Sequence, residues 1–201
     1  MDTPDVVLRP VTAADLWLLE RQADDPETGG EFNWSGYRDI VAIRRRFEEN
    51  RLIGPDIGCL IVLLDAAVAG TVHWSRNTYG VPVWACWTIG IQLLPEFRGR
   101  GAGTASQRML AAYLFGTTPV ERVEAYTDVE NVAEQRALEK AGFTREGEIR
   151  ASQFREGRWR SLYLYSMVRS EYAGADAPVR APQRQPEPLG PGDEPASAQE
   201  G

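Results

Sequence analysis

The hydrophobic pattern of the first half of the chain predicts two helices and four strands. Ile40, Ile43 and Phe47 recur at helical spacing, whereas Ile89, Ile91 and Leu93 alternate with other residues as in a strand. The predicted elements are a strand over 6–10, a helix beginning at 12–15, a helix over 39–50, strands over 58–64 and 67–75 joined at 65–66, a turn over 77–80, and a strand over 84–94. This half is therefore built mainly from consecutive strands.

The second half alternates between helices and strands. Ala105, Met109, Ala112 and Tyr113 share one face of a helix that ends near Gly116. A strand over 122–127, a helix over 131–141, and a pair of strands over 143–154 and 161–168 complete the pattern. Together the two halves predict a mixed α/β sheet.

Composition predicts one globular domain with a tail. The chain has 201 residues and is 43% hydrophobic, which is enough for a real core. We expect the domain to span residues 1–172, because from residue 173 the sequence becomes rich in Pro, Ala, Gly, Gln and Glu. Such a composition predicts a disordered tail over 173–201.

The net charge and the longest apolar stretch limit the kinds of binding partner and the cellular location that we expect. A net charge of −7 argues against a nucleic-acid-binding surface and weakly favours a cationic amine. The longest apolar stretch, near 59–64, stops at Asp65, so we expect no membrane span, no secretion and a cytoplasmic location. Cys59 and Cys86 lie in strand-like segments, which favours buried free thiols, and His73 is the only histidine, which makes a metal site improbable.

Residues 93–104 run from a strand through a glycine-rich turn into a helix. Glycines at 99, 101 and 103 permit a positive φ, and a helix start leaves N–H groups without intrahelical partners. With Arg98 and Arg100 beside them, these donors predict a phosphate or pyrophosphate site. The turn lacks the lysine of a Walker A loop and the glycine spacing of a dinucleotide fingerprint. A glycine-rich helix start that binds nothing is the alternative.

Two motifs give a family resemblance. Arg98-x-x-Gly101-x-Gly103 resembles the acetyl-coenzyme A loop of the GNAT acetyltransferases, and residues 131–143, from Asn131 to Gly142-Phe143, resemble the second half of that family's signature. The resemblance covers about residues 6–170. Segments 8–10, 89–91 and 94–98 are similar to the branch that contains the ribosomal-protein N-terminal acetyltransferases (RimJ and RimL) and many small-amine acetyltransferases.

The resemblance implies a fold and a cofactor site. The expected GNAT fold has a central, mostly antiparallel sheet of six or seven strands, splayed between strands 4 and 5 and flanked by about four helices. Amides of the glycine turn would hold the pyrophosphate, the backbone near Leu93 and Leu94 would pair with the pantetheine arm and polarise the thioester carbonyl, and Asn131 would touch the arm or only cap its helix. The implied acetyl-coenzyme A residues are Leu93, Leu94, Arg98, Gly99, Arg100, Gly101, Ala102, Gly103, Thr104 and Asn131.

Catalytic residues are less clearly implied. The tyrosine that many relatives use as a general acid is Leu138 here, a frequent serine is Glu134, and Thr88 stands where a carboxylate is frequent. Candidates for proton transfer are Glu31, His73 and Glu134, each of which also has a purely structural interpretation. Phe32 and Trp34, on a polar loop, would either form a substrate-binding edge or tuck the loop onto the core.

These features predict an N-acetyltransferase that moves an acetyl group from acetyl-coenzyme A to a primary amine of a small molecule by direct attack in a ternary complex. Protein N-terminal acetylation, a coenzyme A-binding module without catalysis, and a partner-binding domain acting through the tail are the alternatives. The expected partners are acetyl-coenzyme A and an amine, without nucleic acid, membrane or metal, in a monomer or homodimer.

Overall fold

A seven-stranded sheet runs through the part of the chain that the structure, a computed structural model, describes, which is residues 5–81, 83 and 85–172. The strand order is β1-β2-β3-β4-β5-β7-β6. The strands are β1 Val6–Pro10, β2 Ile57–Leu64, β3 Ala67–Thr78, β4 Ala85–Leu93, β5 Arg122–Asp128, β6 Thr144–Arg155 and β7 Arg158–Val168. The helices are α1 Leu16–Asp24, α2 Pro26–Gly29, α3 Ile40–Asn50, α4 Ala102–Thr117 and α5 Val132–Ala141, with 3₁₀ turns at Ala13–Asp15 and Pro95–Phe97.

The sheet is incomplete between β4 and β5. All other neighbouring strands pair antiparallel, whereas β4 and β5 are parallel and pair only from Trp87 to Ile89 against Val123 to Ala125. Beyond Ile89 the two strands diverge, so the rest of β4 has a strand partner on its β3 side alone. The mixed α/β class and the splay that the family resemblance implied are both confirmed.

Hydrophobic side chains on one face of the sheet form the larger core. Leu110 and Leu114 of α4 and Leu138 of α5 pack there with Val123 and Tyr165. A smaller cluster under α1 and α3, around Leu18 and Ile61, covers only the β1–β2 end of the opposite face. This second face is left open over β4 and β5, where its side chains are polar.

Local differences from the sequence prediction have physical causes. The turn predicted over 77–80 is wrong at its start, because β3 continues to Thr78 and Asn77 pairs with Cys86. The amide of Asn77 donates to Glu124 on β5, a long-range contact that outweighs local turn preference. The helix α2 was not predicted; Pro26 begins it and the Asp25 carboxylate caps it.

Some predictions fall on chain that the structure leaves out. The start of the fourth strand at Trp84 and the tail over 173–201 lie outside the described residues, so the domain boundary stays a prediction.

Cys59 and Cys86 are free thiols, and burial raises the pKa of each to about 12. Within the described ranges, no helix is long and apolar enough to cross a membrane.

Candidate active site

The gap between β4 and β5 opens into two adjoining cavities. The larger has a volume of about 510 Å³ and reaches the glycine turn, while the smaller, of about 350 Å³, lies on the polar face of the sheet. Both fall within the usual range for small-molecule sites. The residues lining both cavities are Phe32, Asn33, Ile91, Gln92, Asn131 and Glu134. Two ligands entering from opposite sides would therefore meet in the splay.

The glycine turn presents an uncapped helix start to the larger cavity. Gly99 and Gly101 have φ values of +72° and +83°, and no side chain caps α4 behind Gly101. The first amide with an intrahelical acceptor is that of Ala105, which donates to the Gly101 carbonyl at 3.2 Å. The preceding N–H groups are available to an anion. Gly103 is helical, so of the three glycines only Gly99 and Gly101 use the positive φ that a glycine permits.

The side chains of Arg98 and Arg100 connect the glycine turn to neighbouring elements through hydrogen bonds and an ion pair. Arg98 Nε donates to the Leu93 carbonyl at 3.0 Å, and one terminal nitrogen donates to the Thr28 carbonyl at 3.1 Å. Arg100 pairs with Asp65 at 3.2 Å, on the β2–β3 hairpin. Arg98 still lines the larger cavity. The flanking role predicted for both arginines stays a prediction.

Two further cations line the larger cavity and were missed from the sequence. Arg136 and Lys140 are four residues apart on α5, on the same helix face as Ala133 and Ala137, which also line the cavity. The sequence did contain a signal for them: on one face of the helix that follows Asn131, small residues alternate with cations. The larger cavity thus combines uncapped amides with positive charge.

The end of β4 offers backbone groups to the gap. Leu93 lines the larger cavity, and its carbonyl is held by Arg98. The Leu94 amide donates to the Ala69 carbonyl at 2.9 Å, so the oxyanion role predicted for an amide near Leu94 stays a prediction and competes with that bond. The Asn131 side chain caps α5 by accepting from the Glu134 amide at 3.2 Å. Its contact with a ligand likewise stays a prediction.

Glu134 lies in the wall that the two cavities share. It retains partial exposure to them, yet the surrounding protein raises its pKa to about 7, and the Gln107 amide offsets part of that rise. Gln107 is almost fully buried, and neither of its amide atoms makes a hydrogen bond of normal geometry within the described residues. Glu134 can therefore exchange a proton near neutral pH.

A second carboxylate, Glu124, has the opposite environment. It is fully buried and accepts hydrogen bonds of 2.6 to 3.0 Å from five side chains: Asn77, Tyr79, Thr88, Arg122 and Tyr126. Despite the cost of burial, these donors hold its pKa at about 2. Glu124 is thus a fixed negative charge, while Glu134 can titrate. The sequence signal for Glu124 was a lone carboxylate within an apolar strand.

His73 lines the smaller cavity, and its imidazole lies over Gly90. A methyl group at Gly90 would come within 2.4 Å of His73 Nε2. The ring is reachable by solvent, but it sits in a cleft where surrounding protein and the charge of Arg38 lower its pKa. The lowered pKa keeps His73 neutral at pH 7.

The remaining predicted residues lie on the loop before α3. Glu31 is exposed and lines the larger cavity, and Phe32 lines both. The Phe32 carbonyl accepts from Arg155 at 3.1 Å, and Arg155 also forms a buried ion pair with Asp128 at 2.7 Å. Trp34 instead stacks edge-on against Tyr37 and does not line either cavity.

A parallel splay, an uncapped helix start beside it and a titratable carboxylate at the junction form the candidate active site. The family profile described as "Acetyltransferase (GNAT) domain" matches residues 5–144, and the chain belongs to this family.

Two bacterial proteins show partial sequence similarity. The chain is 33% identical over 86 residues to the "Putative ribosomal N-acetyltransferase YdaF" of Bacillus subtilis (strain 168), covering 43% of this chain and 47% of that protein. It is 30% identical over 86 residues to the uncharacterized N-acetyltransferase p20 of Bacillus licheniformis, covering 43% and 48%. The matched segment thus spans about half of each relative.

Solved structures share the fold. The spermidine N-acetyltransferase of Vibrio cholerae, in complex with CoA and spermine, aligns with a TM-score of 0.70 at 17% identity, over 83% of this chain and 97% of that one. Mycobacterium smegmatis RimJ, in complex with CoA-disulfide, aligns with a TM-score of 0.66 at 22% identity, over 84% of each chain. The similarity to YdaF is consistent with the branch that the sequence resembled, whereas the two solved structures show the shared fold alone.

Proposed function

We propose that this protein transfers the acetyl group of acetyl-coenzyme A to a primary amine of a small molecule, with Glu134 as the general base. The observation that carries the proposal is the meeting of the two cavities at Glu134. The larger cavity ends at an anion-binding turn, and the smaller one opens on the polar face of the sheet. The smaller cavity, of about 350 Å³, suits a compact acceptor.

The residues present fit coenzyme A. Its pyrophosphate would be held by the amides of Gly99 to Thr104, because α4 has no side-chain cap there and a Cβ at Gly99 would meet nothing within 4 Å. Arg136 and Lys140 would supply positive charge to its phosphates. When bound, acetyl-coenzyme A supplies the activated acyl thioester.

Glu134 would perform the proton transfers. The acceptor arrives as an ammonium ion, and the Glu134 carboxylate takes one proton from it, directly or through a water molecule. The amine lone pair then forms the new C–N bond while the C–S bond breaks and the thiolate leaves with its electron pair, and the acetylated nitrogen releases its second proton to solvent. Leu138 is fully buried and cannot donate a proton. Protonated Glu134 is therefore our candidate to return a proton to the departing thiolate.

Protein N-terminal acetylation is the second candidate, favoured by the similarity to YdaF, which is described as a putative ribosomal N-acetyltransferase. A panel containing small amines and short peptides with free N-termini separates the two candidates. Peptides processed faster than every small amine would replace our proposal by this one.

Calorimetric titration with acetyl-coenzyme A, followed by a thiol-release assay over that panel, tests the proposed function. We expect binding and turnover of at least one small amine. Binding without turnover of any amine or peptide would instead indicate a coenzyme A-binding module that lacks catalysis. Failure to bind acetyl-coenzyme A would end the proposal.

A further inference from the structure

The smaller cavity contains a cation without a carboxylate partner. Arg38 lines this cavity, and no carboxylate within the described residues lies within ion-pair distance of it. The neighbouring Asp39 instead caps α3 by accepting from the Ala42 amide at 3.0 Å. The positive charge of Arg38 is thus available to a ligand.

Two hydrogen bonds to the end of α1 hold Arg38 in place. Its backbone amide donates to the Ala23 carbonyl at 3.0 Å, and one terminal nitrogen donates to the Gln22 carbonyl at 2.7 Å. Both acceptors are at the end of α1, so the guanidinium is anchored while its other N–H groups remain unassigned. A pre-positioned guanidinium is the side chain best suited to bind a carboxylate.

The other charges around this cavity are already balanced or titratable. Asp128 is neutralised by Arg155 in an almost fully buried ion pair. Glu124, beneath Thr88 and Tyr126, has its two oxygens occupied by five donors. Glu134 is the remaining carboxylate in the lining, and it is the group proposed to receive the proton of the amine.

His73 adds a hydrogen-bonding group to the same cavity, because His73 and Arg38 both line it. The charge of Arg38 also contributes to the lowered pKa of His73. The charge of Arg38 also lowers the pKa of the Cys59 thiol, but burial raises it more, so this thiol stays protonated at neutral pH. Arg38 and neutral His73 therefore form a positively charged, donor-bearing wall in the cavity that also contains Glu134.

We infer that the acceptor is a small amino carboxylate, whose carboxylate binds to Arg38 and His73 while its amine is presented to Glu134. This inference rests on the proposed function and specifies its substrate class. A polyamine would bring a second positive charge toward Arg38, so the arrangement disfavours polyamines. It favours molecules with one amine and one carboxylate.

Matched acceptors provide the test. We would compare leucine with leucinamide and isoamylamine, and glycine, γ-aminobutyrate and ε-aminocaproate with the corresponding alkylamines, with spermidine as a polycation. Wild-type protein should prefer the carboxylate-bearing member of a pair by about 10- to 100-fold in kcat/KM, as expected for a hydrogen-bonded charged group. Equal or faster turnover of the amines without a carboxylate would overturn the inference.

Variants connect the preference to Arg38. Arg38→Gln should remove most of the preference through the acceptor KM, Arg38→Lys should retain part of it, and the exposed Arg45→Gln on α3 should leave it unchanged. Acetyl-coenzyme A affinity, which should stay constant, checks that the variants fold. A preference that survives in Arg38→Gln would contradict the assignment.

A binding measurement separates this inference from the proposed function. Calorimetry with leucine and with isoamylamine, in the presence of coenzyme A, reports recognition without turnover. If no acceptor reacts but leucine binds through Arg38, the carboxylate site stands and the acetylation proposal fails. If isoamylamine reacts and leucine binds no better, acetylation stands and the carboxylate site fails.

Discussion

Replacing Glu134 by Gln tests the electrostatics of the junction most directly. Protein surroundings raise the pKa of Glu134 from 4.5 to about 7, a shift that corresponds to at most about 3 kcal/mol. Because the native state holds this proton more tightly than the unfolded chain does, ionisation destabilises the fold. This destabilisation develops as the pH rises from the unfolded pKa and is complete above the native one.

The variant should therefore become relatively more stable as the pH rises. Between about pH 5 and pH 8, the advantage of Glu134→Gln over wild type should grow by about 2 to 3 kcal/mol. For a domain of this size, that corresponds to a Tm difference that widens by about 5 to 10 °C. Thermal unfolding followed by circular dichroism across this pH range measures it.

Activity gives a second readout of the same residue. In wild type, kcat/KM should rise with pH and level off above about 7, because the base must be ionised to accept a proton. Glu134→Gln should lower kcat by about 100-fold or more and lose this pH dependence. Glu48→Gln on the exposed face of α3 is the matched control. A Tm difference between wild type and Glu134→Gln that does not change with pH would refute our account of the raised pKa of Glu134.

Three further substitutions probe other parts of the site. Gly101→Glu should raise the KM for acetyl-coenzyme A by about 30-fold or more, because it places a negative charge at the anion-binding helix start. Arg155→Met should lower the free energy of unfolding by about 3 to 5 kcal/mol in urea titrations, because it leaves Asp128 buried without its cation. Gly90→Ala should raise the amine KM without changing that of acetyl-coenzyme A, because its methyl group would come within 2.4 Å of His73 Nε2 and displace the ring.

Each of these has a matched control. Gly101→Gln shares the backbone strain of Gly101→Glu, so equal effects from both would exclude the charge argument. Adding Asp128→Asn to Arg155→Met should restore most of the lost stability, and a single variant that unfolds like wild type would count against the buried pair. Gly147→Ala on β6, where a Cβ meets nothing within 4 Å, should leave both KM values unchanged.

The sequence predicted features that depend on local pattern. The glycine turn, the apolar alternation of β4 and the Asn131 cap were recognisable because short-range periodicity and capping chemistry determine them. The family resemblance supplied the splay. Which of the three glycines would use a positive φ could not be predicted, because a glycine in the first turn of a helix and one with a positive φ look the same in a sequence.

Side-chain assignments that depend on long-range contacts could not be predicted. Arg98 donates to Thr28 on α2 and Arg100 pairs with Asp65 on the β2–β3 hairpin, and both acceptors are distant in the sequence. The difference between Glu124 and Glu134 arises from donors brought together by β3, β4 and β5. Arg38 could be recognised as a candidate binding residue only from the folded structure, in which it lines the same cavity as His73.

Because the parallel pairing between β4 and β5 is short, amide hydrogen exchange on β4 should report whether a ligand occupies the gap between the two strands. Amides of β4 bonded to β3 should resist deuterium uptake with or without a ligand. Those of Gly90 to Leu93 that point into the gap have no strand to cover them, so they should exchange quickly until a ligand completes the missing edge. Slowed uptake confined to that strand end would show where the ligand lies without any turnover.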